Sequence, residues 1–247
     1  GQADLDTQRD VVKNEKRLRD DEPYGLRWTV LMNEAFPRGH PYQHNAIGSM
    51  NDLDAASLAD VKAWFQRWYG PNNAILVLAG DIDLATAKRE VPKYFGHIPA
   101  SASLAKLPPM PAPRQRSTRY VLQDRVAQTR INKVWNAAPY GGADVVALQL
   151  RAMVLGGDEA SRLSRRLRGD VPLVDRINTW MSVQELAGTF NISMDVRAGV
   201  DPARVEQVIT EELARLLAEG PGADELELAR AESRSRFIRG FETVHAR

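Results

Sequence analysis

The sequence predicts an α+β protein in which helices cover a mixed or antiparallel sheet. Three observations carry that prediction. Strand and helix patterns alternate along the chain without a strict βαβ order; residues 173–183 and 189–197 read as an antiparallel pair joined through 184–188; and long helical periodicities occupy both ends of the chain.

The elements follow in order. Residues 4–20 read as a helix whose stripe, counted by threes and fours from Leu5, runs through Gln8, Val11 with Val12, Glu15 and Leu18. Glu15 therefore projects from the face expected to be buried, where a carboxylate needs a cation or a metal because desolvating the anion is costly. On spacing alone, the plain explanation is an ion pair with an arginine from elsewhere. Residues 24–36 give a second helix with Leu26, Leu31, Met32, Ala35 and Phe36 inward, halted by Pro37 and Gly39. A polar loop, GHPYQHNAIGSMNDLD, leads to a third helix from Ser57, where Ser57 and Asp60 form a capping-box pattern and Leu58, Val61, Phe65 and Trp68 face inward. The apolar run at 74–80, AILVLAG, reads as a strand covered on both faces, and Asp81 or Asp83 starts a helix through Tyr94.

Residues 99–113 hold five prolines and are expected to run extended and exposed as a linker between units 1–98 and 114–247. Beyond it, TRYVLQD and TRINKVWNAA read as strands, 143–155 as a helix, and SRLSRRLRG as a short basic helix after the Gly156-Gly157 break. Two long helices start at Pro202 and Ala223. The last of these patterns places Leu226, Ala229, Phe237, Phe241 and Val244 at helical spacing and stops at Arg247 without a capping Gly or Pro, while the start GQADLD has neither an initiator Met nor a leader. The chain reads as a fragment of a longer protein.

Composition bounds the function. At 247 residues and 43% hydrophobic content there is ample material for a core. A net charge of +1, from 33 basic and 32 acidic residues, gives no electrostatic reason to expect nucleic acid or a membrane as partner. The absence of cysteine excludes disulfides, thiolate nucleophiles and cysteine-ligated metals, and leaves the compartment open.

Three blocks carry a family resemblance: QRDVVKNEKR, then GHPYQHNAIGSMNDLDAASLADVKAWFQRWYGPNNAILVLAGDID, then LGGDEASRLSRRLRGDVPLV. In this order they resemble the insulinase/pitrilysin family of zinc metallopeptidases, the inverzincins, over about Leu5 to Phe241. The resemblance implies an insulinase/pitrilysin-like half in which 1–98 is the later part of the zinc-bearing subdomain and 114–247 a second α+β subdomain. It also implies zinc held by an H-x-x-E-H helix and by a glutamate on a later helix. No H-x-x-E-H occurs in this sequence, and Glu15 matches the later glutamate. Periodicity places the Glu15 carboxylate on the face expected to be buried, and the resemblance implies that it is the metal ligand, with the catalytic base of such a protein lying outside this sequence. Gln8, two turns earlier, matches a position where relatives often carry an acid that supports the ligand shell; an amide there can hydrogen-bond but adds no negative charge.

The resemblance further implies a metal-activated water acting on peptides or unfolded polypeptides, enclosed between homologous halves. The fragment alone, lacking two ligands and the base, is expected to be inactive. The alternative is a non-catalytic partner or core subunit of the same fold that assembles with an active chain. Long bacterial members are often exported, which favours the periplasm. Of the remaining candidates, His40 and His44 are four apart, but Gly39 and Pro41 make their segment a loop, and the resemblance treats His40 and Tyr42 as framework residues fixing it. His97 and His245 have no partner at ligand spacing. Gly156-Gly157 with Asp158 and Ser161 lacks the lysine and spacing of a phosphate loop. Arg162, Arg165, Arg166 and Arg168 read as a salt-bridged or solvated face, with Leu163 and Leu167 turned to the sheet.

Overall fold

The computed structural model describes residues 1–242; Val244 and His245 lie outside the described residues. In chain order the helices and strands are α1 (Gln2–Asp21), α2 (Arg27–Ala35), α3 (Met50–Ala55), α4 (Leu58–Trp68), α5 (Leu84–Phe95), β1 (Arg130–Ala137), α6 (Val145–Gly156), α7 (Arg162–Leu167), β2 (Val174–Val183), β3 (Gly188–Val196), α8 (Pro202–Glu219) and α9 (Ala223–Gly240). The contacts divide the chain into two units, one of residues 1–21 and 46–107, the other of 22–45 and 108–247. Residues 22–45, assigned by the sequence reading to the first unit, thus belong with the second, because α2 packs on β1.

In the first unit the helices start where side-chain caps predict. Ser57 and Asp60 complete a reciprocal capping box on α4, Asp83 caps α5 through Thr86, and Ser49 accepts from the Asp52 amide to start α3. The short α3 forms at the end of the polar segment GHPYQHNAIGSMNDLD. The expected strand at 74–80 is not formed: no backbone ladder joins it to any described residue, and Ile75 and Val77 are 93% and 78% exposed. A strand exists only through a neighbour, and no segment of this unit supplies one. The face of α4 expected to turn inward is likewise incompletely covered, with Phe65 and Trp68 49% and 39% exposed.

The core belongs to the second unit. Its sheet runs β1-β3-β2, all antiparallel, with Ile192 of β3 opposite Lys133 and Thr179. Being central, β3 is buried along its whole length. Phe190, Ile192, Met194 and Val196 point into a cluster with Ala152, Leu155, Leu163, Leu167, Val205 and Ile209 from the helices. The alternate residues face the other way and are polar, so they must be paired. Ser193 donates to Asn132, and Asp195 holds Arg130 through a bidentate pair. The strand expected at TRYVLQD does not form, and Val121 is 78% exposed.

A ring of four hydrogen bonds fastens the His40 loop to this unit. His40 Nε2 donates to the Met110 carbonyl (2.9 Å), the Met110 amide to the Leu186 carbonyl (2.7 Å), the Leu186 amide to Tyr42 Oη (3.1 Å), and the Tyr42 amide to His40 Nδ1 (3.0 Å). Because Nδ1 accepts, the proton sits on Nε2. The imidazole is 5% exposed and stacks on Phe36 at 4.6 Å, above a small cluster of Ala35, Ala112 and Ala187. His40 and Tyr42 are framework residues, as the resemblance implies.

Candidate functional site

Glu15 sits on α1, and the way α1 is held decides where it points. Arg9 reaches α3, donating from Nε to the Leu53 carbonyl (2.8 Å) and from Nη2 to the Ala56 carbonyl (2.6 Å), two of the carbonyls left open at that helix's end. Lys13 pairs with Asp54 at 2.6 Å, and Lys16, 8% exposed, pairs with Asp20 at 3.1 Å. The packed face of α1 is therefore a row of long basic side chains whose stems are covered and whose heads are neutralised.

The stripe expected to be buried faces outward instead. Val11 and Leu18 are 55% and 62% exposed, Gln8 is exposed, and the Glu15 side chain retains 49% of its accessibility. Basic residues reaching α3 take the covered face, and of the expected stripe only Leu5 and Val12 are partly covered. The ion-pair partner of Glu15 is local: Arg19 Nη2 lies 2.5 Å from Oε1, one turn along the same helix.

A zinc site requires three or four donors converging at about 2 Å. Among the described residues no group of three or more His, Cys, Asp or Glu side chains could hold a metal. Both His40 nitrogens are committed, and His44 and His97 are exposed. The residues present therefore do not build a metal site by themselves; Glu15 offers one carboxylate, and Arg19 competes for it.

The glycine pair is a packing feature. A Cβ on Gly156 would lie 2.8 Å from Thr179 Cγ2 and 3.0 Å from Ile177 Cγ2, so α6 meets β2 there with no room for a methyl group. The Gly157 amide is already bonded to Met153 O, and Ser161 Oγ donates to the Asp158 carbonyl, which leaves no cradle for a phosphate.

Each arginine from Arg162 to Arg168 has an acidic partner, although Arg162 Nη1 is buried without a hydrogen-bond partner of its own. Arg162, 8% exposed, makes a bidentate contact with Glu225 and donates to the Gly220 carbonyl. Arg165 also reaches Glu225, Arg166 binds Glu211 and the buried Glu212, and Arg168 binds Glu159. The Arg162 guanidinium, with the Gly222 amide, holds the Glu225 carboxyl down to about 2. A hollow of about 130 Å³ beside Arg165 and Arg168 has no unpaired cation to offer a ligand. The arginines are visible in the sequence but the acids that pair with Arg162, Arg165 and Arg166 are not, because these lie on α8 and α9; the signal available was Glu212 amid the apolar spacing of α8.

The comparisons with known proteins can now be set against this geometry. A family profile described as the peptidase M16 inactive domain matches residues 55–233. The zinc protease PqqE of Helicobacter pylori is 29% identical over 164 residues, 65% of this chain and 37% of that protein. The uncharacterized zinc protease ML0855 of Mycobacterium leprae is 26% identical over 249 residues, 97% of this chain and 54% of its own length. Among solved structures, a protease from Helicobacter pylori superposes with a TM-score of 0.84 at 23% identity, over 100% of this chain and 60% of that one. A putative M16-like peptidase from Alicyclobacillus acidocaldarius gives 0.81 at 18% identity, over 100% and 59%. The chain thus spans about half the length of the protein it matches end to end, and the structural likenesses establish its fold. With more than half of its residues inside the matched profile, the chain belongs to the peptidase M16 inactive-domain family.

Proposed function

We propose that this chain is the non-catalytic part of a zinc metallopeptidase that hydrolyses peptides or unfolded polypeptides, and that it works against a homologous half. Glu15 carries this reading. It stands where the resemblance places the third metal ligand, half exposed on α1 and held by a solvent-exposed pair with Arg19 that a stronger cation displaces. The match to an inactive-domain profile and the zinc-protease names of two relatives support it. The two histidines and the base come from polypeptide outside residues 1–247. A second reading, a partner or core subunit that never binds metal, is favoured by Gln8, which supplies no charge where relatives often carry an acid.

The test compares residues 1–247, the product of the complete reading frame, and its Glu15→Gln variant, by zinc content and by chelator-sensitive cleavage of unfolded casein. The expected result is about one zinc and cleavage in the complete product alone, both lost in Glu15→Gln. Neither metal nor cleavage in the complete product would establish the partner-subunit reading. Chelator-sensitive cleavage by residues 1–247 would overturn the non-catalytic assignment.

A further inference from the structure

The end of the sheet at which β1 begins gathers three guanidinium groups around one carboxylate. Asp195 of β3, 8% exposed, holds Arg130 of β1 through both oxygens, and Arg176, its partner in the β2 register, brings Nε to 4.0 Å from Oδ2. The third guanidinium belongs to Arg27, the first residue of α2, where the charges of both Arg130 and Asp195 act on it. Two further acids of this end are engaged elsewhere: Asp124 accepts from the Tyr24 and Arg125 amides, and Asp175 pairs with Arg197 and Gln128.

Arg27 has no partner of its own. Among the described residues no carboxylate or carbonyl bonds to it; its Nε is enclosed without a hydrogen bond, its two Nη groups are not enclosed, and its Cζ lies 4.9 Å from the Trp28 ring centroid. Burial first, and then Arg130, push the Arg27 guanidinium below its usual range against the pull of Asp195, yet it stays protonated at neutral pH. A half-buried cation that gives up water without gaining a bond calls for an explanation. Its surroundings are fixed. Tyr24 is the one non-glycine among the described residues at positive φ, 64°, a strained conformation that its neighbours must hold. The Tyr24 amide donates to Asp124 Oδ2 (2.8 Å), its hydroxyl to the Gln128 carbonyl (2.7 Å), and its carbonyl accepts from the Arg27 amide (3.1 Å). Its ring centroid lies 3.7 Å from Arg130 Cζ, so this one residue positions Arg130 by stacking and Arg27 through the main chain.

We propose that Arg27, with Arg130 beside it, is a binding site for a carboxylate, borne by a polypeptide or by a small free acid. With Nε enclosed, the carboxylate approaches end-on, and Nη1 and Nη2 each donate to one of its oxygens, a planar pairing that an ammonium does not make. Arg130 adds positive charge while staying bonded to Asp195, and the Trp28 ring, 42% exposed, offers an apolar surface to the carbon that bears the carboxylate. A polyanion fits less well, since the chain's net charge is only +1. The site needs neither zinc nor hydrolysis and stands under either reading of the function.

Isothermal titration of residues 1–247 at low salt tests it with N-acetyl-phenylalanine, N-acetyl-phenylalaninamide, succinate, inorganic phosphate and a hexapeptide with a free C-terminus. The acids are expected to bind with Kd below about 1 mM and the amide at least ~10-fold more weakly, and Arg27→Gln should weaken the acids at least ~10-fold. If Arg27→Gln folds poorly, Arg27→Lys, which keeps the charge and loses the fork, gives the same sign with a smaller change. A hexapeptide at least ~10-fold tighter than succinate upholds the proposal with polypeptide as the source, and succinate as tight as the hexapeptide upholds it with a free acid. Equal binding of acid and amide overturns it, as does the absence of binding by every acid or an affinity unchanged in Arg27→Gln. Inorganic phosphate binding more tightly than every acid also overturns it, by making the site one for phosphate.

Discussion

Glu225 shows how much of this fold rests on single charges: one carboxylate joins Arg162 and Arg165 of α7 to the first turn of α9. Its carboxyl titrates near 2 in the fold against about 4.3 in an unfolded chain, so its stabilisation is fully present above pH 4.5 and disappears as the pH falls towards 2. The expected loss across that window, reduced for solvent screening, is about 2 kcal/mol, and Glu225→Gln should flatten that limb of a pH–melting curve. His40 acts through geometry instead. His40→Ala breaks two of the four ring bonds and leaves the Met110 carbonyl and Tyr42 amide unpaired, an expected loss of about 2–3 kcal/mol in urea denaturation. Both residues were visible in the sequence as types, but only His40 could be given its role, because the quoted motif is local. Glu15 shows the converse: its position was legible and its burial was not, because burial depends on what covers a helix face.

Elements with local signals were readable, and those defined by a distant neighbour were not. The caps at Ser57 and Asp83 and the proline at the first position of α8, Pro202, fix helix starts within a few residues of themselves, and the β2–β3 pair is joined by a short connection. The runs at 74–80 and 118–124 have ordinary strand composition, yet neither meets a partner among the described residues. The helix α3 was missed although Ser49 and Asp52 stand at capping distance, because only six residues follow the cap. At the α6–β2 contact the sequence showed a glycine pair without its reason. Gly156→Ala should destabilise the protein by about 1–3 kcal/mol, measured by denaturation, since Thr179 is pinned by its own bond to the Ala152 carbonyl and cannot give way.

Across the whole molecule the two units differ in what holds them. The second has a central strand buried on both faces and a continuous apolar cluster; the first has caps and ion pairs around uncovered helices. Limited proteolysis of residues 1–247 should therefore cut first within 46–107, and the piece beginning near 108 should stay bound to residues 22–45 through α2 and the His40 ring on gel filtration. Their separation after a cut would mean that the ring contributes little. This division was not legible in the sequence, because residues 22–45 precede the Pro-rich stretch yet pack beyond it. The same ring has a topological consequence. Since the His40 imidazole touches the Met110 carbonyl, the main chain leaves and re-enters the second unit through one stitched gate, which makes residues 46–107 an excursion that could be excised. Splicing residue 45 to 108 with a few glycines, and starting the chain at 22, should yield a miniature of the second unit whose shortened loop lowers the entropy of its unfolded state.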